Sequence, residues 1–467
     1  MIVWAVARQM IAECIRMKIA LVFVVLLVLI VLGLPFSIEG DSSMAGAVQA
    51  FLSYSLTAIS VLLGILTIFL SRSLSDELVN RQILLLVSKP VARWQYILGK
   101  WVGMSLFNVS FVLFSGVAVW GMVQYLAATR APLDPLYDEK ELHNEVLVAR
   151  HVSKFNVPDY TQEAEREYQL RLEQGVYNDV LDFDEKREKK RLLGLFDARW
   201  RVVPPLDARV FEFENVLCDR SPQSQVQVRY KTEVTNYPPD EIFRALWIFG
   251  NPDKGTKQYA YPVRHVVGRY HTMAFPADAV AADYTLTVRF ENRNVFPNEP
   301  QFRNLIEFQT AEGVEVLFVV GSFEGNLARL LVLVLCKLML LSAVSLLATT
   351  VFSFPVAALV SFSFYALAGC SAFIWDSLKF ASDDFATWFS SAKEFVLHLI
   401  AWLYKTLGYV IPNFAQYDAV ETLVNGRNVS LTWVMLGIAN LVLLRTVVAL
   451  GLAMLLFHRR EVSEVSV

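Results

Sequence analysis

The chain has 467 residues, of which 55% are hydrophobic and only 19% charged. Soluble domains carry roughly a quarter charged residues, so a mean hydropathy of +0.42 over this length excludes an ordinary soluble enzyme and indicates a polytopic membrane protein. The net charge of -3 argues against a nucleic-acid binder, which presents a concentrated basic face.

Residues 1–18 have helical periodicity. Val3, Val6, Met10, Cys14 and Met17 form one stripe, and Gln9, Glu13 and Arg16 lie on the other side. This pattern predicts an amphipathic interfacial helix on the inner membrane surface; a plain extension of the first span is the alternative. Arg8, Arg16 and Lys18 precede an apolar run too long for a signal peptide, and no small-residue cleavage site follows it. The run is expected to stay as an uncleaved span.

Residues 19–36, 45–70 and 102–126 read as the first three spans. Lys and Arg cluster before the first and between the second and third, which puts the N-terminus and residues 71–101 in the cytoplasm. From 131 to 326 the composition turns polar and no segment could cross a bilayer. Residues 136–200 read as helical. In residues 201–322, Val226, Val228, Tyr230, Thr232 and Val234 alternate with polar positions, as do Tyr284, Leu286, Val288 and Phe290, and Val314, Val316, Phe318 and Val320. Period-two patterns between Pro, Asn and Gly turns predict an antiparallel β-sandwich. Counting spans places this insert outside, as an extracytoplasmic α+β domain.

Residues 327–352 and 356–375 read as spans four and five, joined at Phe354 and Pro355. A second external segment, 376–429, holds the apolar stretch 395–411, read as an interfacial helix because a seventh span would leave His458, Arg459 and Arg460 outside. Residues 430–467 supply span six and a cytoplasmic tail. The predicted fold is thus a polytopic α-helical membrane protein of six transmembrane helices with a β-containing insert, its N- and C-termini cytoplasmic. Of the four cysteines, Cys14, Cys218, Cys336 and Cys370, only Cys218 lies in the polar insert, so no disulfide forms within it and the compartment stays open.

Residues 71–101 resemble the cytoplasmic loop of ABC-2 type transporter permeases. The matching positions are Glu77, Leu84, Leu85, Ser88, Lys89, Pro90, Arg93, Gly99 and Lys100, with Arg81 and Gln82 departing from the family's usual small residue and Thr. Ile411, Pro412, Asn413, Phe414, Tyr417, Asp418, Gly426 and the closing 457–461 are similar to the family's C-terminal pattern. The resemblance covers the spans and their inner flanks, not residues 132–326. It implies two permease subunits, as a homo- or heterodimer, each docking a separate ABC ATP-binding subunit through this coupling loop. ATP and Mg would then bind on that partner, with no cofactor on this chain, in the cytoplasmic (inner) membrane.

The chain contains no G-x-x-x-x-G-K-[ST] phosphate loop, so a transport subunit without its own ATPase site is expected rather than an enzyme. In the loop, Leu84–Val87 would form a buried ridge for the partner, with Glu77, Arg81 and Arg93 as its polar rim; an ordinary positive-inside loop on lipid headgroups is the plainer alternative. Arg445 near the middle of span six and Lys337 in span four are intramembrane cations, and such groups mark pathways by default. Arg445 is expected at the translocation route or dimer seam. Lys337, read as nearer the outer end, could instead snorkel to the surface.

The insert shows no catalytic signature. His143, His151, His265 and His271 lack metal-ligand spacing, and the run from Lys186 to Arg191 reads as a solvated helix face. Phe211, Phe213, Tyr230, Trp247 and Phe290 suit a sandwich core. Besides membrane lipids, an envelope protein at the insert is an expected partner. A membrane-anchored sensory or scaffold protein, in which the insert does the work, is the other reading.

Overall fold

The computed structural model describes residues 2–37, 43–80, 92–129, 135–155, 158–177, 184–221, 224–238, 240–294, 304–308, 313–384, 402 and 411–459. Among them, six helices are long and apolar enough to cross a membrane: Lys18–Ser37, Met44–Val79, Arg93–Thr129, Phe323–Val351, Phe354–Phe373 and Leu431–Arg459. The chain divides into two compact units, residues 1–149 with 321–467, and residues 150–320. The expected architecture of six spans and an inserted antiparallel β domain is present.

In the membrane unit, helix α1 (Ile2–Arg16) precedes the first span and buries Val6, Ala7, Met10 and Cys14. Trp4 and Ile15 are exposed on its other faces. The second, fourth and sixth spans each start on a serine. Ser43, Ser322 and Ser430 accept the N–H of Gly46, Gly325 and Trp433, satisfying backbone donors that the helix start leaves free. The fourth span is the axis of the unit, with Leu330, Leu333, Leu338, Leu341 and Leu346 all buried. The first span instead exposes Leu21, Leu29 and Leu32, as a helix facing lipid does.

Two departures from the expected spans matter. Helix continues past Leu70 as Arg72–Val79 and begins again at Arg93, so much of 71–101 is not loop. The sixth span is interrupted by a π-helical segment, Ile438–Thr446, in which Thr446 donates to the carbonyl of Leu441 five residues back. Such bulges often mark functional sites. The stretch expected as an interfacial helix, 395–411, lies outside the described residues except for 402 and 411.

The inserted unit contains two sheets. Strands β1 (Val148–Lys154), β2 (Val202–Val203), β4 (Gln225–Val234), β7 (Tyr270–Pro276), β9 (Ile306–Phe308) and β10 (Val314–Ser322) make one, in the order β1-β10-β4-β9-β2, with β7 also on β4. Strands β3 (Ala208–Phe213), β5 (Ile242–Phe249), β6 (Tyr259–Val266) and β8 (Leu286–Asn292) make the other, in the order β3-β8-β5-β6. The core holds Phe211, Phe213, Tyr230, Trp247 and Phe290, as their spacing predicted. Trp247 meets Phe290 edge-on at 4.7 Å and Tyr230 at 4.6 Å; such pairs add to what burial alone contributes.

The insert also corrects two expectations. Residues 136–200 are not all helical, because β1 lies among them; VARHVSK carries little periodic signal, and pairing with β10 makes it a strand. β10 does not alternate either. Val314 to Phe318 are buried at every position, since β10 lies between two neighbours and both its faces are covered. Helices Thr161–Glu173 and Glu185–Arg201 pack on Ala164, Tyr168 and Leu192. Lys189 bonds to Glu165 and Glu185, each at 2.8 Å, and Arg191 to Glu188 at 2.7 Å, so these two cations of the basic run are paired at the surface. Gly250 (φ +94°) ends β5, where an added Cβ would lie 2.1 Å from the Lys257 carbonyl oxygen, leaving room only for glycine.

Candidate coupling site

The polar ends of the second and third spans meet α1 around one buried ammonium. Ser73 and Glu77 are one turn apart on Arg72–Val79, and Tyr96 and Lys100 are one turn apart on Arg93–Thr129, so each pair shares a helix face. Lys100 is 0% exposed. Its Nζ donates to Glu13 Oε2 at 2.8 Å, to Glu77 Oε1 at 2.8 Å and to Ser73 Oγ at 2.9 Å. Those three bonds use every proton of the ammonium.

The carboxylates are held in turn. Gln9 Nε2 donates to Glu13 Oε1 at 2.9 Å and to Glu77 Oε1 at 3.2 Å. The Tyr96 hydroxyl donates to Glu77 Oε2, and the Ser73 hydroxyl to Glu13 Oε2. Burial alone raises the Glu13 carboxyl, but the charge of Lys100 and the bonds from Lys100, Ser73 and Gln9 outweigh it, so the group sits below its ordinary value.

Close backbone approach makes this possible. A Cβ on Gly99 would lie 2.6 Å from the Val6 Cβ, and one on Gly103 2.6 Å from the Met10 Cβ. Small residues four apart let two membrane helices touch, and here they let α1 lie on the third span. Burial at that contact pushes the Cys14 thiol up to about 12. Arg93, at the start of the third span, donates to the carbonyls of Phe457 and His458 at 3.1 and 2.9 Å. A cation on the last free carbonyls of a helix caps it. Tyr96 stacks on Phe457, ring centres 5.9 Å apart.

Of the predicted loop residues, the structure therefore brings Glu77, Arg93, Gly99 and Lys100 together. Glu77 and Arg93 are not an exposed rim: Glu77 is buried against Lys100, and Arg93 binds the end of the sixth span. Gly99 and Lys100 are helical and face α1. Arg81, Leu84, Leu85, Ser88, Lys89 and Pro90 lie outside the described residues. Sequence reasoning missed Glu13, which it placed on the polar side of α1, and also Gln9, Ser73 and Tyr96. The four-residue spacing of Ser73 with Glu77, and of Tyr96 with Lys100, was the available signal.

The two intramembrane cations are placed separately. Lys337 stands midway along Phe323–Val351 and is 8% exposed, so it does not snorkel. It lines a pocket of about 360 Å³ with Thr57, Ser60, Tyr365 and Asp418. Arg445 lies in the π-helical segment and is not among the walls of that pocket. Its Nε donates to Asn440 Oδ1 at 3.2 Å, and Asn440 donates to the Tyr417 hydroxyl at 2.8 Å.

In the insert, His265 and His271 do not share a strand. They sit on β6 and β7, and their rings stack 4.3 Å apart across the intervening turn. Burial, with His271 alongside, lowers His265 to about 4.

Residues 4–142 match the family model described as ABC-2 family transporter protein. No curated protein and no solved structure matches the chain. The matched segment takes in α1, the first three spans and every member of the Lys100 cluster. The resemblance carried by residues 71–101 is borne out: residues 4–142 of this multi-pass membrane protein are similar to the ABC-2 family transporter proteins.

Proposed function

We propose that the chain is the membrane-spanning subunit of an ABC transporter that moves a substrate with ATP hydrolysed on a separate ATP-binding subunit. The observation that carries this reading is the Lys100 cluster within the family-matched segment. It ties α1 and the bases of the second and third spans into one body on both sides of residues 81–91. Arg93 adds the end of the sixth span. A push on the short connection is then passed to helices that cross the membrane, because none of its flanks can yield alone. The positive-inside charge pattern supports a cytoplasmic position for this body and an external one for the insert, where it would meet substrate or an envelope partner. Two such subunits, paired in the inner membrane, would complete the transporter.

The test uses the leucine ridge, which the cluster does not contain. Leu84→Asp with Leu85→Asp is expected to abolish co-purification with the ATP-binding subunit while the permease itself still assembles in the membrane. Undiminished co-purification would overturn the coupling role of this segment.

A further inference from the structure

We propose that the pocket around Lys337 binds an amphiphile bearing a single anionic headgroup on an apolar chain. This deepens the transporter reading and rests on it only for the pocket's purpose, not for its existence. The pocket is walled by the second span (Thr57, Ser60, Val61), the fifth span (Tyr365, Ala366, Gly369, Cys370) and the segment carrying Phe414, Asp418 and Val420. Its volume of about 360 Å³ falls in the range of small-molecule sites.

The cation is the anomaly. Lys337 is more than nine-tenths buried at mid-span, and among the described residues its ammonium makes no hydrogen bond or ion pair. Tyr365 is already committed, its hydroxyl donating to the Ser60 carbonyl at 3.2 Å. Asp418 is close enough to attract the ammonium, but one of its oxygens receives the Val420 N–H at 3.3 Å. A charge at membrane depth is costly unless met, and here it opens onto a space large enough for an anion.

The walls set the rest of the ligand. Val61, Ala366, Gly369, Phe414 and Val420 offer it apolar surface. Thr57 and Ser60 can donate to the same head. Asp418 on the same lining repels a second negative charge, which selects a monoanion such as a carboxylate or phosphodiester. The acyl chain would run along the apolar wall beside the second and fifth spans.

Equilibrium binding of oleate and of oleyl alcohol to the detergent-purified full chain tests this. Dioleoyl phosphatidylglycerol and dioleoyl phosphatidylcholine, compared by native mass spectrometry, form the lipid arm. Oleate should bind more tightly than the alcohol, and Lys337→Met should cost oleate about ten- to a hundredfold while leaving the alcohol unchanged. Gly369→Leu adds no clash at its Cβ, which meets nothing within 4 Å, and by filling the pocket should remove both ligands. Preference for oleate alone identifies a free acid, and preference for phosphatidylglycerol a lipid headgroup. Equal binding of charged and neutral partners, or oleate binding that survives both substitutions, overturns the proposal. Because no ATPase is involved, binding with lost ATPase association refutes the transporter reading alone, and the reverse result refutes the pocket alone.

Discussion

Lys100→Met is the sharpest perturbation of the membrane unit. The methionine keeps the length of the side chain, so packing against Tyr96 is largely retained while the charge goes. Two carboxylates are then left facing each other, with the Glu77 side chain 8% exposed and that of Glu13 29% exposed. Removing one partner of a buried pair costs about 3–5 kcal/mol. Glu13 has water on one side and is discounted accordingly, which leaves roughly 3 kcal/mol from Glu77 and its neighbours. At about 1.4 kcal/mol per tenfold, that raises the undocked population of α1 by roughly a hundredfold. Cys14 is the reporter, since it is 0% exposed in the docked helix. Maleimide labelling of purified protein, read peptide by peptide, should show Cys14 modified far faster in Lys100→Met than in the parent. Adding Glu77→Gln should recover much of the protection, because the uncompensated charge is gone. Cys14 protected equally in the parent and in Lys100→Met would refute the idea that this ammonium holds α1.

Three further outcomes follow from the same geometry. Gly103→Val drives a side chain into Met10 and the Ala7 carbonyl, so it should expose Cys14 with the ion cluster chemically intact, as the same labelling would show. Because the Glu13 carboxyl is held below its ordinary 4.5, its contribution to docking is complete above that value and is lost as pH falls through its lowered one; Cys14 protection should hold from pH 7 to 5 and decay in stronger acid. Trp247→Ala removes the ring that joins Phe211, Tyr230 and Phe290, at a cost of about 3–5 kcal/mol, and should speed hydrogen exchange in β4, β5 and β8 while exchange in the spans stays unchanged.

Residue types and their order determined a good deal. Six apolar stretches announced the six membrane helices found among the described residues, because a bilayer leaves a backbone no other way to satisfy its polar groups. Alternation at 226–234 and 286–290 marked strands with one packed face. The run with Glu77, Gly99 and Lys100 carried the resemblance to the ABC-2 family, since its spacing is local and survives without a fold. Tertiary structure decided what those residues face. Glu77, Arg93 and Lys100 read as exposed loop charges because charge in a short basic stretch ordinarily faces water. Only the approach of α1, permitted by Gly99 and Gly103, encloses Glu77 and Lys100, and only the end of the sixth span gives Arg93 its carbonyl partners. The same holds for Lys337: one lysine in an apolar helix has two escapes, the surface or a partner, and the choice rests on the second and fifth spans packed around it. VARHVSK became a strand, and β10 lost its alternation, for one reason. Pairing and covering come from distant segments, and no local pattern encodes them.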